Sequence, residues 1–187
     1  MSLASLKRSI RADHDAMRGA RDRYPTSGTS MTKRPMIGDA IQKIGFQMLI
    51  GVRLMTCVRS LGIPFAAQAI SRLIRHLFGA EIHWDATIAD GIWIVHGNGL
   101  VISHGASIGP GCILFQNVTL GESIDPQTRI VGAPTLEANV HIGPGAVLLG
   151  PITIGEGSKV MANSVVTESV PPRSIVRSPS VIVESRP

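Results

Sequence analysis

Aromatic residues are scarce in this 187-residue chain: four Phe, two Trp and one Tyr. Nucleic-acid modules interleave basic side chains with stacking aromatics, and no such module is present, so no nucleic-acid partner is expected. Cysteine is scarcer still. Cys57 and Cys112 alone make neither a disulfide framework nor a metal cluster, so no metal is expected. The longest apolar stretch, within 38–60, is broken by Arg53 and Arg59 and is too short to span a bilayer. The sequence opens Met1-Ser-Leu-Ala-Ser-Leu-Lys-Arg8 and runs into charged residues rather than an apolar signal core, so a cytoplasmic location is expected. Acidic residues number 13 against 18 Lys and Arg, for a formal charge of +5. Most of the excess precedes residue 80, where solvated helical faces explain it more simply than an anionic ligand or membrane surface.

What the sequence has in abundance is order. From Glu81 to Val166 aliphatic residues return every six positions: Ile82, Ile88, Ile94, Ile102, Ile108, Leu114, Leu120, Leu136, Ile142, Leu148, Ile154, Val160 and Val166. A six-residue period fits neither a 3.6-residue helix nor long two-residue alternation. It fits short strands joined by tight turns, three to a coil, each placing one aliphatic in a narrow interior and stacking on the next coil. Small or medium residues two before the aliphatics, such as Ala86, Ala106, Cys112 and Ala146, suit the same interior. A sandwich of short strands does not require thirteen aliphatics in register. Two interruptions break the period: Val95-His96-Gly97-Asn98-Gly99 and the polar stretch 121–135. Interruptions of a repeat map to loops on one face.

Three helices are expected before the repeats. Residues 3–22 show a modest helical pattern ended by Tyr24-Pro25, and 26–35 reads as a loop. Residues 38–60 place Ile41, Ile44, Met48, Val52 and Met55 along one face. After Gly62-Ile-Pro64, a third helix over 65–78 is expected to turn Ala66, Ile70, Leu73, Ile74 and Leu77 inward and Gln68, Arg72 and Arg75 outward, with Gly79 as its cap. The division is therefore an α-helical region over 1–79, a mainly β coil domain over 80–172 with a protruding loop at 121–135, and a tail over 173–187. The helices are expected to cover the exposed edge of the first coil. A membrane-surface role for 44–78 is the less favoured reading.

The run Glu81-Ile-His-Trp-Asp-Ala-Thr-Ile-Ala-Asp-Gly-Ile-Trp-Ile-Val-His-Gly-Asn-Gly-Leu-Val-Ile102, with Gln116-Asn-Val-Thr-Leu-Gly121 and Gly143-Pro-Gly-Ala146, resembles the serine acetyltransferases of the hexapeptide-repeat acyltransferase superfamily. The resemblance implies a left-handed parallel β-helix, a homotrimer of the kind that in this family often pairs into a dimer of trimers, and direct transfer of acetyl from acetyl-CoA to a hydroxyl. Such a transfer needs a base near neutrality to take the hydroxyl proton. His96 falls where the family's catalytic histidine stands, and Glu81 where the family carries the aspartate that orients it. A carboxylate on one imidazole nitrogen would fix the tautomer and stabilise the imidazolium. His83, His104 and His141 read as exposed strand or turn residues. By the same resemblance the coenzyme lies along a groove touching Gly121, Ala146, Met161 and Ala162, with Lys159 or the Arg173 and Arg177 tail available for its phosphates.

The departures concern the acceptor. Serine acetyltransferases carry an aspartate before the histidine, an aspartate before a proline in the helical region, and an Arg-His pair before the proline that ends the loop. Here those positions are Val95, Tyr24 and Gly132-Ala133. Charge-assisted hydrogen bonds are worth roughly 1.5–3 kcal/mol each, so losing all of them should weaken the grip on a zwitterion. The expectation is an O-acetyltransferase acting on a sugar, a polysaccharide precursor or another non-zwitterionic alcohol. The alternatives are a true serine O-acetyltransferase of cysteine biosynthesis and a non-catalytic scaffold.

Overall fold

The computed structural model describes residues 3–23, 35–125 and 128–178. Among these residues four helices come first: α1 (Leu3–Arg23), α2 (Met36–Gln42), α3 (Ile44–Ser60) and α4 (Pro64–Phe78). The strands that follow are two or three residues long and wind into a triangular coil with three parallel faces. One face stacks β1 (Glu81–Ile82), β4 (Val101–Ile102), β7 (Thr119–Gly121), β12 (Val147–Leu149) and β15 (Val165–Val166). The second stacks β2 (Thr87–Ile88), β5 (Ser107–Ile108), β10 (Thr135–Leu136) and β13 (Thr153–Ile154). The third stacks β3 (Trp93–Ile94), β6 (Ile113–Leu114), β11 (His141–Ile142), β14 (Lys159–Val160) and β16 (Ile175–Val176). In the stretch 121–135, β8 (Ser123–Ile124) and β9 (Val131–Gly132) pair antiparallel, forming a hairpin that leaves the coil.

The hexad aliphatics fill the interior as the period demands. Twelve of the thirteen are buried; Ile88, at the first coil's edge, is half-buried. The small positions close the same core: Ala106, Cys112, Val140, Ala146, Ser158 and Ser164 are all covered. Corners require the left-handed backbone region, which Gly and Asn enter at least cost. Gly99, Asn117, Gly145 and Asn163 supply it in turn at one corner, each with φ between 56° and 70°. The expected parallel β-helix with an N-terminal helical region is therefore present.

The helices cap the first coil as expected, but through buried polar side chains, among them an arginine that the sequence pattern assigned to a solvated face. Arg53, inside the apolar run of α3, is 2% exposed. Its Nε and Nη2 donate to the Asp13 carboxylate at 2.7 and 2.9 Å, and Nη1 and Nη2 donate to the carbonyls of Ile88 and Ala89 at 2.8 and 2.7 Å. Asp13 Oδ1 in turn accepts from the N–H groups of Gly91 and Ile92. Ser71 Oγ donates to the Ile82 carbonyl at 2.6 Å. Backbone groups at the open end of the coil, which would otherwise recruit another strand, thus have partners from α1, α3 and α4.

Two expectations about the helices need correction. The single helix over 38–60 is two, with Lys43 extended between α2 and α3 and a bend of 102°. Gly45 lies so close to the Ile94 carbonyl that any Cβ would run into it, so α3 starts where it meets β3. Ile41 and Ile44 are accordingly exposed, whereas Met48, Val52 and Met55 are buried. The inward face of α4 is also rotated: Ala67, Ser71 and Ile74 are buried, and Leu73 and Leu77 are 53% and 64% exposed. The bond from Ser71 to Ile82 and the small Ala67 fix that rotation. Among the described residues no single helix is long and apolar enough to cross a membrane.

Candidate active site

The interruption at Val95–Gly99 is held from three sides. Beneath it, Met48 of α3 sits against Gly97 so closely that a side chain at 97 would collide with its sulfur. Beside it, the Gly99 N–H donates to the Gly79 carbonyl at the C-cap of α4, 2.9 Å away. On the next coil, the Asn117 N–H donates to the Asn98 carbonyl at 2.9 Å. His96 projects from this braced turn and is exposed, and Val95 is half-buried. Among the described residues the His96 ring makes no hydrogen bond or ion pair.

Glu81 lies two residues beyond Gly79, at the same end of the coil, but its carboxylate forms an ion pair with Arg75 of α4. The expected bond between Glu81 and His96 is not made here. Both side chains are exposed.

Below His96, on the same corner, the third face builds a cleft of about 170 Å³ from Phe115, His141, Gly143, Lys159, Met161 and Ala162 among others. Strand register explains the column. Trp93 pairs with Ile113, Ile113 with His141, His141 with Lys159 and Lys159 with Ile175. The residues that follow these strands, Val95-His96, Phe115, Gly143, Met161-Ala162 and Arg177, therefore stack along one edge. From the His96 rung to the Met161 rung is three ladder spacings, about 14 Å. Phe115 and His141 stack with centroids 5.3 Å apart and planes 5° from parallel. Burial, reinforced by the Lys159 charge, pushes the His141 pKa below its ordinary value. A half-buried His141 in the cleft replaces the expected exposed strand residue.

The other site candidates fall elsewhere. Ala146 is fully buried, with its carbonyl taken by Thr119 N–H and its own N–H given to Gly143, so it shapes the coil rather than lining the cleft. Gly121 ends β7 on a different face, where its carbonyl accepts from Gly150. Arg177 continues the cleft's column, whereas Arg173 lies on another corner beside Gly157. Gly132 closes the loop hairpin opposite Ser123, with Pro151 against it, and Ala133 packs near Gly105. Tyr24 lies outside the described residues. At the loop's root, His104 Nε2 stands 3.2 Å from Glu122 Oε1, and the His83 ring stacks on Trp84 at 3.8 Å. Phe115, like His141, is a cleft residue that sequence reasoning missed. Its signal, an aromatic directly after a hexad aliphatic on the His96 corner, shows only once the coils are in register.

Residues 133–168 match the family model described as bacterial transferase hexapeptide (six repeats). The serine acetyltransferase of Synechococcus elongatus is 40% identical over 127 residues, covering 68% of this chain and 51% of that one. This is a serine acetyltransferase-like hexapeptide-repeat chain. The serine acetyltransferase of Bacillus licheniformis is 42% identical over 112 residues, covering 60% of this chain and 51% of its own. The chain spans about half the length of these two relatives. Among solved structures, Neisseria gonorrhoeae serine acetyltransferase in complex with serine superposes with a TM-score of 0.78 at 26% identity, over 98% of this chain and 69% of that one. Entamoeba histolytica serine acetyltransferase 1 in complex with L-cysteine gives the same TM-score and identity, over 94% of this chain and 64% of that one. The serine acetyltransferase-like chain is thus a left-handed parallel β-helix with an N-terminal helical region.

Proposed function

We propose that the protein is an acetyl-CoA-dependent O-acetyltransferase. The observation that carries this reading is that His96 and the cleft share one edge of the coil. Acetyl-CoA would supply the thioester as co-substrate. Apolar Phe115 and Met161 suit its pantetheine arm, and Lys159 and Arg177 offer cations to its phosphates. The column of about 14 Å lets a molecule of that length reach His96 from the cleft. His96 then accepts the acceptor's hydroxyl proton as the oxygen bonds to the thioester carbonyl carbon. When the C–S bond breaks, the imidazolium returns the proton to sulfur, and free coenzyme A leaves. Glu81, turned from Arg75 toward His96, would stabilise that imidazolium. An exposed site that is half a cleft in one protomer fits a trimer whose neighbouring subunit closes it.

Serine is the acceptor that the comparisons favour, because the similar proteins are named serine acetyltransferases. They give no support to the expected sugar acceptor. One observation favours a non-zwitterionic alcohol as the second reading: Val95, Gly132 and Ala133 carry no charge with which to hold an ammonium and a carboxylate. Thiol release from acetyl-CoA, followed by mass spectrometry of the product, separates the two. The first reading expects release with L-serine and formation of O-acetylserine. Release with sugars but not with serine would replace it by the second. Release with no hydroxyl compound in a broad panel would contradict both.

A further inference from the structure

We propose that the outer face of α4 docks on an anionic lipid bilayer. The rotation of this helix leaves Phe65, Ala69, Leu73 and Leu77, spaced four apart, on the side away from the buried Ala67, Ser71 and Ile74. Phe65 is 80% exposed, and the stripe runs about 18 Å along the helix. The turn before it adds Leu61 and Ile63, also exposed. Large apolar side chains gathered this way mark a surface that something covers. Charge says what. Helix α4 contains no Asp or Glu, and Arg72 and His76 flank the stripe. Between residues 36 and 80 the one acidic residue, Asp39, is buried against His14. Arg72 makes no ion pair among the described residues. A second copy laid on this face about a two-fold axis would set Arg72 and His76 against their counterparts with no carboxylate on α4 to offset them. A surface of lipid phosphates takes both the apolar stripe and its basic flank.

The full chain is sedimented with vesicles of phosphatidylcholine containing phosphatidylglycerol and with vesicles of phosphatidylcholine alone. Retention on the anionic vesicles, weakening as salt rises, is expected. The triple variant F65S/L73S/L77S, whose positions are exposed and whose helicity by circular dichroism should be unchanged, loses about tenfold or more in partitioning. Arg72→Gln loses about fivefold on anionic vesicles only, one near-surface cation's share. Wild-type protein that stays in the supernatant with both vesicle types overturns the proposal, as does a triple variant that binds like wild type. If the triple variant instead changes mass by light scattering while wild type ignores vesicles, a second copy is the occupant and the proposal is wrong.

Discussion

Arg53→Met tests the cap on the first coil most sharply. Arg53 and Asp13 are 2% and 0% exposed at their side chains, and the guanidinium gives two bonds to the carboxylate and two to edge carbonyls. Met fills much of the volume but donates nothing. It leaves a buried carboxylate with only the Gly91 and Ile92 N–H groups, and it strips the donors from the Ile88 and Ala89 carbonyls. Breaking a buried pair from one side costs about 3–5 kcal/mol. Urea unfolding of the variant beside wild type at neutral pH should show a loss of that size. The deficit should also depend on pH. Burial already lifts the Asp13 carboxyl above its ordinary value against the opposing pull of Arg53 and the two N–H groups. Without Arg53 it rises further. A carboxyl with a raised folded-state pKa binds its proton more tightly in the native state, so its contribution is fully present below the unfolded value and lost as pH rises through the folded one. The gap from wild type should therefore narrow on acidification toward pH 3.8. Removing both charges, as Asp13→Leu with Arg53→Met, should cost less than the single change. A single variant that loses under about 1 kcal/mol would refute the cap.

Gly45→Ala should lose about 1–3 kcal/mol or more by thermal unfolding, because the added methyl meets the Ile94 carbonyl, and it should also lower turnover by shifting the turn that carries His96. In an NMR titration His141 should protonate below its ordinary 6.5; Lys159→Gln, which removes the smaller of its two causes, should raise that value only part of the way. A depressed histidine contributes stability above the unfolded pKa that is lost as pH falls through the folded one, so His141→Phe should flatten the acid-side decline of stability. Cys112 is fully buried, its thiol pushed up to about 11, so a thiol reagent at mild alkaline pH should leave it untouched until the protein unfolds.

The coil was legible in the sequence because its period is local: each aliphatic needs only its neighbours six positions away to declare its role. The turn at Val95–Gly99 and the loop at 121–135 were legible as breaks in that period. Arg53 was not, since a charge in an apolar run reads as solvent-facing until Asp13, forty residues earlier, is brought to it. The rotation of α4 was hidden for a related reason. Its apolar residues outnumber those one face can bury, and Ser71, a polar residue, selects the inner side through Ile82. The stack of Phe115 on His141 joins adjacent coils across the loop insertion, where counting by sixes loses register. Glu81 was placed beside His96 by resemblance, but Arg75, six residues earlier, holds its carboxylate.

Acetyl transfer through His96 is tested most directly by His96→Ala, with thiol release and coenzyme A binding measured on the same preparation. An imidazole that removes the hydroxyl proton requires release to fall by about 10²–10⁴-fold while binding in the cleft at Phe115 and Lys159 is retained. Release within about threefold of wild type would place the chemistry elsewhere and contradict the assignment.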